Sequence, residues 1–289
     1  MASKKFYENL LYVVGIFFIF FVITMLSLPL LVQACHIDKS SRWGLLIMSS
    51  FQALVMFIAP SFVAARIVSR RPLAFLCLNR GMGWWPILGV IFAYLIALPA
   101  LNQLIFWNSN ISFPESMAYW EEQCREMENN ALLASSTMLD VKSWSGMLVN
   151  LGIIALLTAF GEELFFRGTL QTASASSGAV YTAIWVVALV FSAMHMQIYG
   201  FVPRLLLGAW FGYLLFWTRS VYVPVLAHFI NNGTVVVCTW LRSNGNTFDF
   251  DRFGVVETGF PLPAFVSAVA FVIFIVFFKN FFFRRQTNG

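Results

Sequence analysis

The stretch Ala159-Phe160-Gly161-Glu162-Glu163-Leu164-Phe165-Phe166-Arg167-Gly168 sets three ionisable side chains within six positions of an otherwise apolar run. The run extends from about residue 147 to residue 176, long enough to lie in a bilayer. Each charge at that depth costs roughly 2.5 to 3.5 kcal/mol or more, so such residues mark a functional site by default.

Composition gives the class. The 289 residues are 60% hydrophobic, 17% aromatic and only 11% charged, with a mean hydropathy of +0.78. A soluble domain carries about a quarter charged residues. The expected fold is all-α: a polytopic membrane protein with an intramembrane polar site. Apolar segments near 10–33, 44–65, 84–107, 147–176, 179–198, 202–218, 221–241 and 262–282 predict eight transmembrane helices. The run after Lys4 and Lys5 has the flank of a signal peptide, yet from Leu10 to Val32 it is long enough to span and reads as a first helix that stays.

The net charge of +5 does not point to nucleic acid, because the basic residues sit in short runs beside apolar segments. Lys4 and Lys5, then Arg66, Arg70, Arg71 and Arg80, then Arg219, then Lys279, Arg284 and Arg285 fall on one membrane face when the spans are even in number. That face is cytoplasmic by the positive-inside rule. Both termini are therefore expected in the cytoplasm, and the setting is an integral protein of a prokaryotic cytoplasmic membrane.

The opposite face receives the long polar connection 108–145, with Glu115, Glu121, Glu122, Glu126, Glu128 and Asp140 against Arg125 and Lys142. Pro114 to Asn130 predicts a surface helix, either a plain solvated loop or a cap facing substrate. Cysteines 35, 77, 124 and 238 lack CxxC or metal-ligand spacing, and only Cys35 and Cys124 are placed to meet outside the membrane. Residues 1–289 read as one membrane-embedded domain, with a core of four helices over 147–241.

Polar residues inside the spans form a short list: Glu162, Glu163, Arg167, His195, His228 and Asn232. His228 and Asn232 are four apart and share a helix face, as do Phe191 and His195. Glu163 and Arg167 have the same spacing and predict an intrahelical ion pair, which leaves Glu162 as the less neutralised acid. From the turn at Ser174 to Gly178, Glu162 lies about 15 residues back and His195 about 18 forward, roughly 22 to 27 Å deep at ~1.5 Å per residue. A helical hairpin would set the two side by side.

A lone intramembrane His or Asn more often serves as an interhelical hydrogen bond. Several at matching depth predict a catalytic or transport site. Ser192 reads as helix packing, and so does the Gly208/Gly212 pair.

In order, Glu162-Glu163-x-x-x-Arg167, Phe191-x-x-x-His195 and His228-x-x-x-Asn232 resemble the motifs of the CAAX protease and bacteriocin-processing (CPBP, or ABI) family of intramembrane endopeptidases, which includes the type 2 CAAX prenyl endopeptidase. The resemblance implies a hydrolase in which Glu162 and His195 activate water, and His228 and Asn232 form an oxyanion hole. Glu163, Arg167 and Phe191 take supporting positions. The implied partner is a membrane-associated or lipidated peptide or protein. No cofactor is expected; the alternative is zinc on Glu162, His195 and His228, against which stand the missing HExxH signature and the presence of Asn232. Serine and aspartyl site motifs are absent from the sequence. The competing classes are a non-proteolytic transporter, which predicts an inverted repeat that the chain lacks, and a bacteriocin-immunity type protein.

Overall fold

The computed structural model describes residues 2–175 and 178–287, and among these the chain is helical without strands. Ser176 and Ser177 of the expected turn lie outside the described residues. In chain order the principal helices are α1 (Ala2–Ala34), α2 (Arg42–Val68), α3 (Trp84–Ser109), α4 (Ala118–Leu139), α5 (Trp144–Ala175), α6 (Val180–Ala193), α7 (Phe201–Thr218), α8 (Tyr222–Ser243) and α9 (Leu262–Thr287).

Seven of these, all but α4 and α6, are long and apolar enough to cross a membrane. The protein is thus a polytopic membrane protein, as composition requires. Serine caps start two spans: Ser41 Oγ accepts from the Gly44 amide at 3.1 Å, and Ser143 Oγ from the Gly146 amide at 3.1 Å. Packing separates inner from outer spans. The most apolar windows of α7 and α8 are 44% and 39% buried, against 11% for α1 and 17% for α9, where Leu11, Phe18 and Leu26, and Phe265 and Phe277, are exposed.

The fifth expected span, 179–198, is corrected. Its helix, α6, has 14 residues and stops at Ala193. At ~1.5 Å per residue that covers about 21 Å of a hydrocarbon core of ~30 Å. The chain then reverses through Met196, which adopts a left-handed φ of 55°, into a short 3-10 turn, Ile198–Gly200. A buried side chain of α3 holds the reversal: Asn108 Nδ2 donates to the Ile198 carbonyl at 2.9 Å, and its Oδ1 accepts from the Val202 amide at 2.8 Å.

The connection 108–145 is mostly helix, with α4 running nine residues beyond the expected end at Asn130, to Leu139. It lies across two elements of the bundle. Ser49 Oγ of α2 donates to Met138 Sδ at 3.8 Å, and Gln197 Nε2 donates to Glu128 Oε1 at 3.3 Å. All four cysteines are free, Cys35 and Cys124 included.

Candidate active site

Helix α5 carries the acids on an irregular backbone. Two π-helical stretches, Leu151–Leu157 and Leu164–Gln171, flank a short α-helical piece, Thr158–Glu163. Threonines secure the wider turns by bonding five residues back: Thr158 Oγ1 to Ile153 O at 3.1 Å, Thr169 Oγ1 to Leu164 O at 2.9 Å and Thr172 Oγ1 to Arg167 O at 3.2 Å. Such turns alter the direction of the side chains around them and recur at functional sites.

Glu163 and Arg167 form the expected pair, fully buried, with Nη1 to Oε1 at 2.9 Å. The pair is part of a larger group. His228 Nδ1 donates to the same Glu163 Oε1 at 2.9 Å, and Arg167 Nη2 donates to the Gly208 carbonyl at 2.9 Å. The guanidinium lies 4.4 Å from the Phe191 ring centre and 5.4 Å from that of Phe211, so aromatic faces replace the water it lost. Gly208 has a reason beyond helix packing, since a Cβ there would meet Arg167 Nη2 at 3.1 Å and Phe191 Cδ1 at 3.1 Å. One turn on, Gln171 Nε2 bonds the Gly212 carbonyl in the same way, at 3.0 Å.

Glu162 has different surroundings. Its side chain keeps 12% of its surface, against 0% for Glu163. Among the described residues its Oε2 has no hydrogen-bond partner. It lines a cavity of about 310 Å³ together with His195, Thr158, Ser49, Gln52 and the apolar Met56, Phe57, Phe166 and Met194. The helix pair α5 and α6 therefore sets Glu162 and His195 at one cavity.

The imidazoles are oriented through their other nitrogens. His195 Nδ1 lies 2.9 Å from the Phe191 carbonyl; a carbonyl only accepts, so Nδ1 carries the proton and Nε2 is left for chemistry. This bond also satisfies one of the free carbonyls at the end of α6, and the Phe191 and His195 rings meet edge-on with centroids 5.0 Å apart. His228, stacked on Phe211 at 5.1 Å, donates through Nδ1 to Glu163 and turns Nε2 to within 3.9 Å of Glu162 Oε2.

Asn232 points to α5 as its shared face with His228 predicts, but it reaches the Ile154 carbonyl at 3.4 Å and does not line the cavity. Ser192 donates to the Phe201 carbonyl at 2.7 Å, which ties α6 to α7. Among the described residues no three His, Cys, Asp or Glu side chains form a group that could hold a metal ion.

Sequence spacing missed the link from His228 to Glu163, the π-helical turns and the α2 wall of the cavity. Gln52 carried a signal, as an amide ten residues into an apolar span. The π-helical turns carried none, because their threonines are ordinary in any helix.

Residues 144–234 match the family described as Type II CAAX prenyl endopeptidase Rce1-like. The chain is also 33% identical over 81 residues to YpbD, an uncharacterised protein of Bacillus subtilis (strain 168). That similarity covers 27% of this chain and 39% of YpbD, well under two thirds of the relative's length. No solved structure matches the chain. All six motif positions and Phe191 fall inside the matched segment, so the likeness to the Rce1-like family covers the part of the chain that carries the site.

Proposed function

We propose that the protein is an intramembrane endopeptidase that hydrolyses a peptide bond in a membrane-associated or lipidated substrate, with residues 147–241 as its catalytic core. One observation carries this reading: Glu162 lines the cavity it shares with His195, while the adjacent, fully buried Glu163 stays off that cavity and is held through Oε1 by Arg167 and His228. An acid that lines a cavity beside an oriented imidazole has the placement of a general base.

In the proposed reaction a water sits between Glu162 and Nε2 of His195. Glu162 takes one proton as the water oxygen attacks the scissile carbonyl, and His195 accepts a hydrogen bond from the other. The tetrahedral oxyanion is held by His228 and Asn232; Nε2 of His228 donates only with both ring nitrogens protonated, a charge that Glu163 at Nδ1 offsets. Asn232 turns from its 3.4 Å bond to Ile154, a long bond that yields little when broken. Collapse breaks the C–N bond, and Glu162 returns its proton to the leaving amine. Glu163 and Arg167 hold the histidine.

The test is cleavage in proteoliposomes, with membrane peptidomics of cells carrying wild-type or Glu162→Gln enzyme to supply substrates. Glu162→Gln and His195→Ala should each abolish product. Unchanged cleavage with both would sink the reading and favour a transporter or immunity protein. Full activity after chelation supports the metal-independent route proposed here, and rescue of chelated enzyme by stoichiometric zinc overturns it. The same vesicles test the proposed topology, with both termini on the cytoplasmic side, by protease protection of terminal tags.

A further inference from the structure

Gln52 is exposed on α2 ten residues past Arg42, or about 15 Å along the span. Lipid offers a carboxamide no partners, so an exposed amide at that depth needs another occupant. Among the described residues its Nε2 meets only Met56 Sδ, at 3.7 Å, and Ser49 Oγ, one turn before it, meets only Met138 Sδ, at 3.8 Å. A thioether is a weak acceptor. Both side chains line the cavity of Glu162 and His195, whose remaining hydroxyl, on Thr158, is already bonded to Ile153 O.

A peptide cut inside a membrane must leave its helix, and each backbone N–H and C=O thereby freed costs several kcal/mol unless the enzyme pairs it. Glu162 and His195 are needed for the water. Resting on the endopeptidase reading above, we propose that Gln52, with Ser49, binds the main chain of an extended substrate beside the scissile bond. A carboxamide has both the donor and the acceptor that match one peptide unit, the pairing used when a strand is added to a sheet edge. Met56 and Phe57 on the same helix, with Phe166 and Met194 across the cavity, take an apolar substrate side chain. The substrate class is therefore an apolar, unwound peptide segment, recognised by its backbone.

The probe is a set of quenched-fluorescence peptides in micelles, one apolar sequence with a single N-methyl group moved along the amides around the cleaved bond. Gln52→Leu should raise KM about tenfold, the worth of roughly one hydrogen bond, with kcat little changed. One N-methyl position should cost wild type about tenfold and cost Gln52→Leu nothing further, the signature of a direct contact. Gln52→Asn should restore part of the loss, and thermal unfolding of all variants should match wild type because the side chain is exposed. Wild-type constants in Gln52→Leu, or equal N-methyl penalties in both enzymes, overturn the proposal and leave the endopeptidase intact. Absence of any cleavage that depends on Glu162 is a different result, which removes the endopeptidase reading and this proposal with it.

Discussion

Two helices of this protein carry buried polar side chains at membrane depth, and they use them in opposite ways. On α3, Asn102 Nδ2 donates to the carbonyls of Phe250 and Phe253 at 2.8 and 3.1 Å. Gln103 brackets Val256, giving to its carbonyl at 3.1 Å and taking from its amide at 2.7 Å. Asn108 does the same for the turn that follows His195. Every one of these amides is spent on backbone. At the α5 site, by contrast, Glu162 Oε2 has no partner among the described residues, and Nε2 of each histidine faces away from its anchoring bond. An open polar atom is not enough to mark chemistry, since Glu163 Oε2, Arg167 Nε and Gln171 Oε1 on α5 also lack partners among the described residues; what sets Glu162 apart is the cavity it shares with an oriented histidine.

The sharpest way to break that contrast is to exchange the outcomes. Glu162→Gln should lower cleavage by about 10²- to 10⁴-fold, the usual range for a general acid–base group, and leave thermal unfolding in detergent unchanged. Gln103→Leu should do the reverse, with turnover retained in the folded fraction. Loss of cleavage in a well-folded Gln103→Leu protein would show that satisfaction does not separate the two classes.

Arg167→Met comes next. Removing one member of a buried pair strands the other, so the variant should lose about 3 to 5 kcal/mol of stability. Adding Glu163→Gln should recover much of this, because the remaining charge is gone, yet cleavage should stay low since His228 has lost its carboxylate. Denaturation midpoints and turnover, measured together, separate the two roles of Glu163; recovery of both would reduce it to a partner of Arg167.

Gln103→Leu itself should cost about 1 to 3 kcal/mol, because the amide and carbonyl of Val256 lose their partner. Hydrogen exchange localised to residues 250–257 checks this, and unaltered protection there would show that the bracket carries no weight.

The parts of this arrangement legible in advance were the local ones. The ion pair of Glu163 with Arg167 follows from four-residue spacing, and so does the common face of His228 and Asn232. The meeting of Glu162 and His195 follows from counting residues out from one turn. What spacing could not contain was rotation. The π-helical turns on either side of Thr158–Glu163 shift the phase of α5, so that Glu163, expected to serve Arg167 alone, also receives His228. The early stop of α6 was hidden for another reason. Its sequence stays apolar past Ala193, and the turn is imposed by Asn108 from a distant helix.

The smallest effect repeats the same contrast on α4, outside the membrane. Glu121 is fully engaged, accepting from the Phe113 amide at 2.8 Å and from Arg125, and these bonds hold its carboxyl below the ordinary value. Glu128, seven residues on, has one oxygen on Gln197 and the other without a partner among the described residues; burial lifts its carboxyl above the ordinary value, with a weaker opposing pull from Arg204. The signs then differ. The contribution of Glu121 is present above its unfolded value and lost as pH falls through the folded one. That of Glu128 is complete below its unfolded value and lost as pH rises through its folded value. Mild acid should therefore tighten the contact of α4 with Gln197, beside His195, while loosening the Phe113 end. Hydrogen exchange along α4 across the carboxylate range should show a few-fold change at each end, in opposite directions. Glu128→Gln should hold the Gln197 end in its acid-like state at every pH; a pH response that survives there would assign the effect to another group.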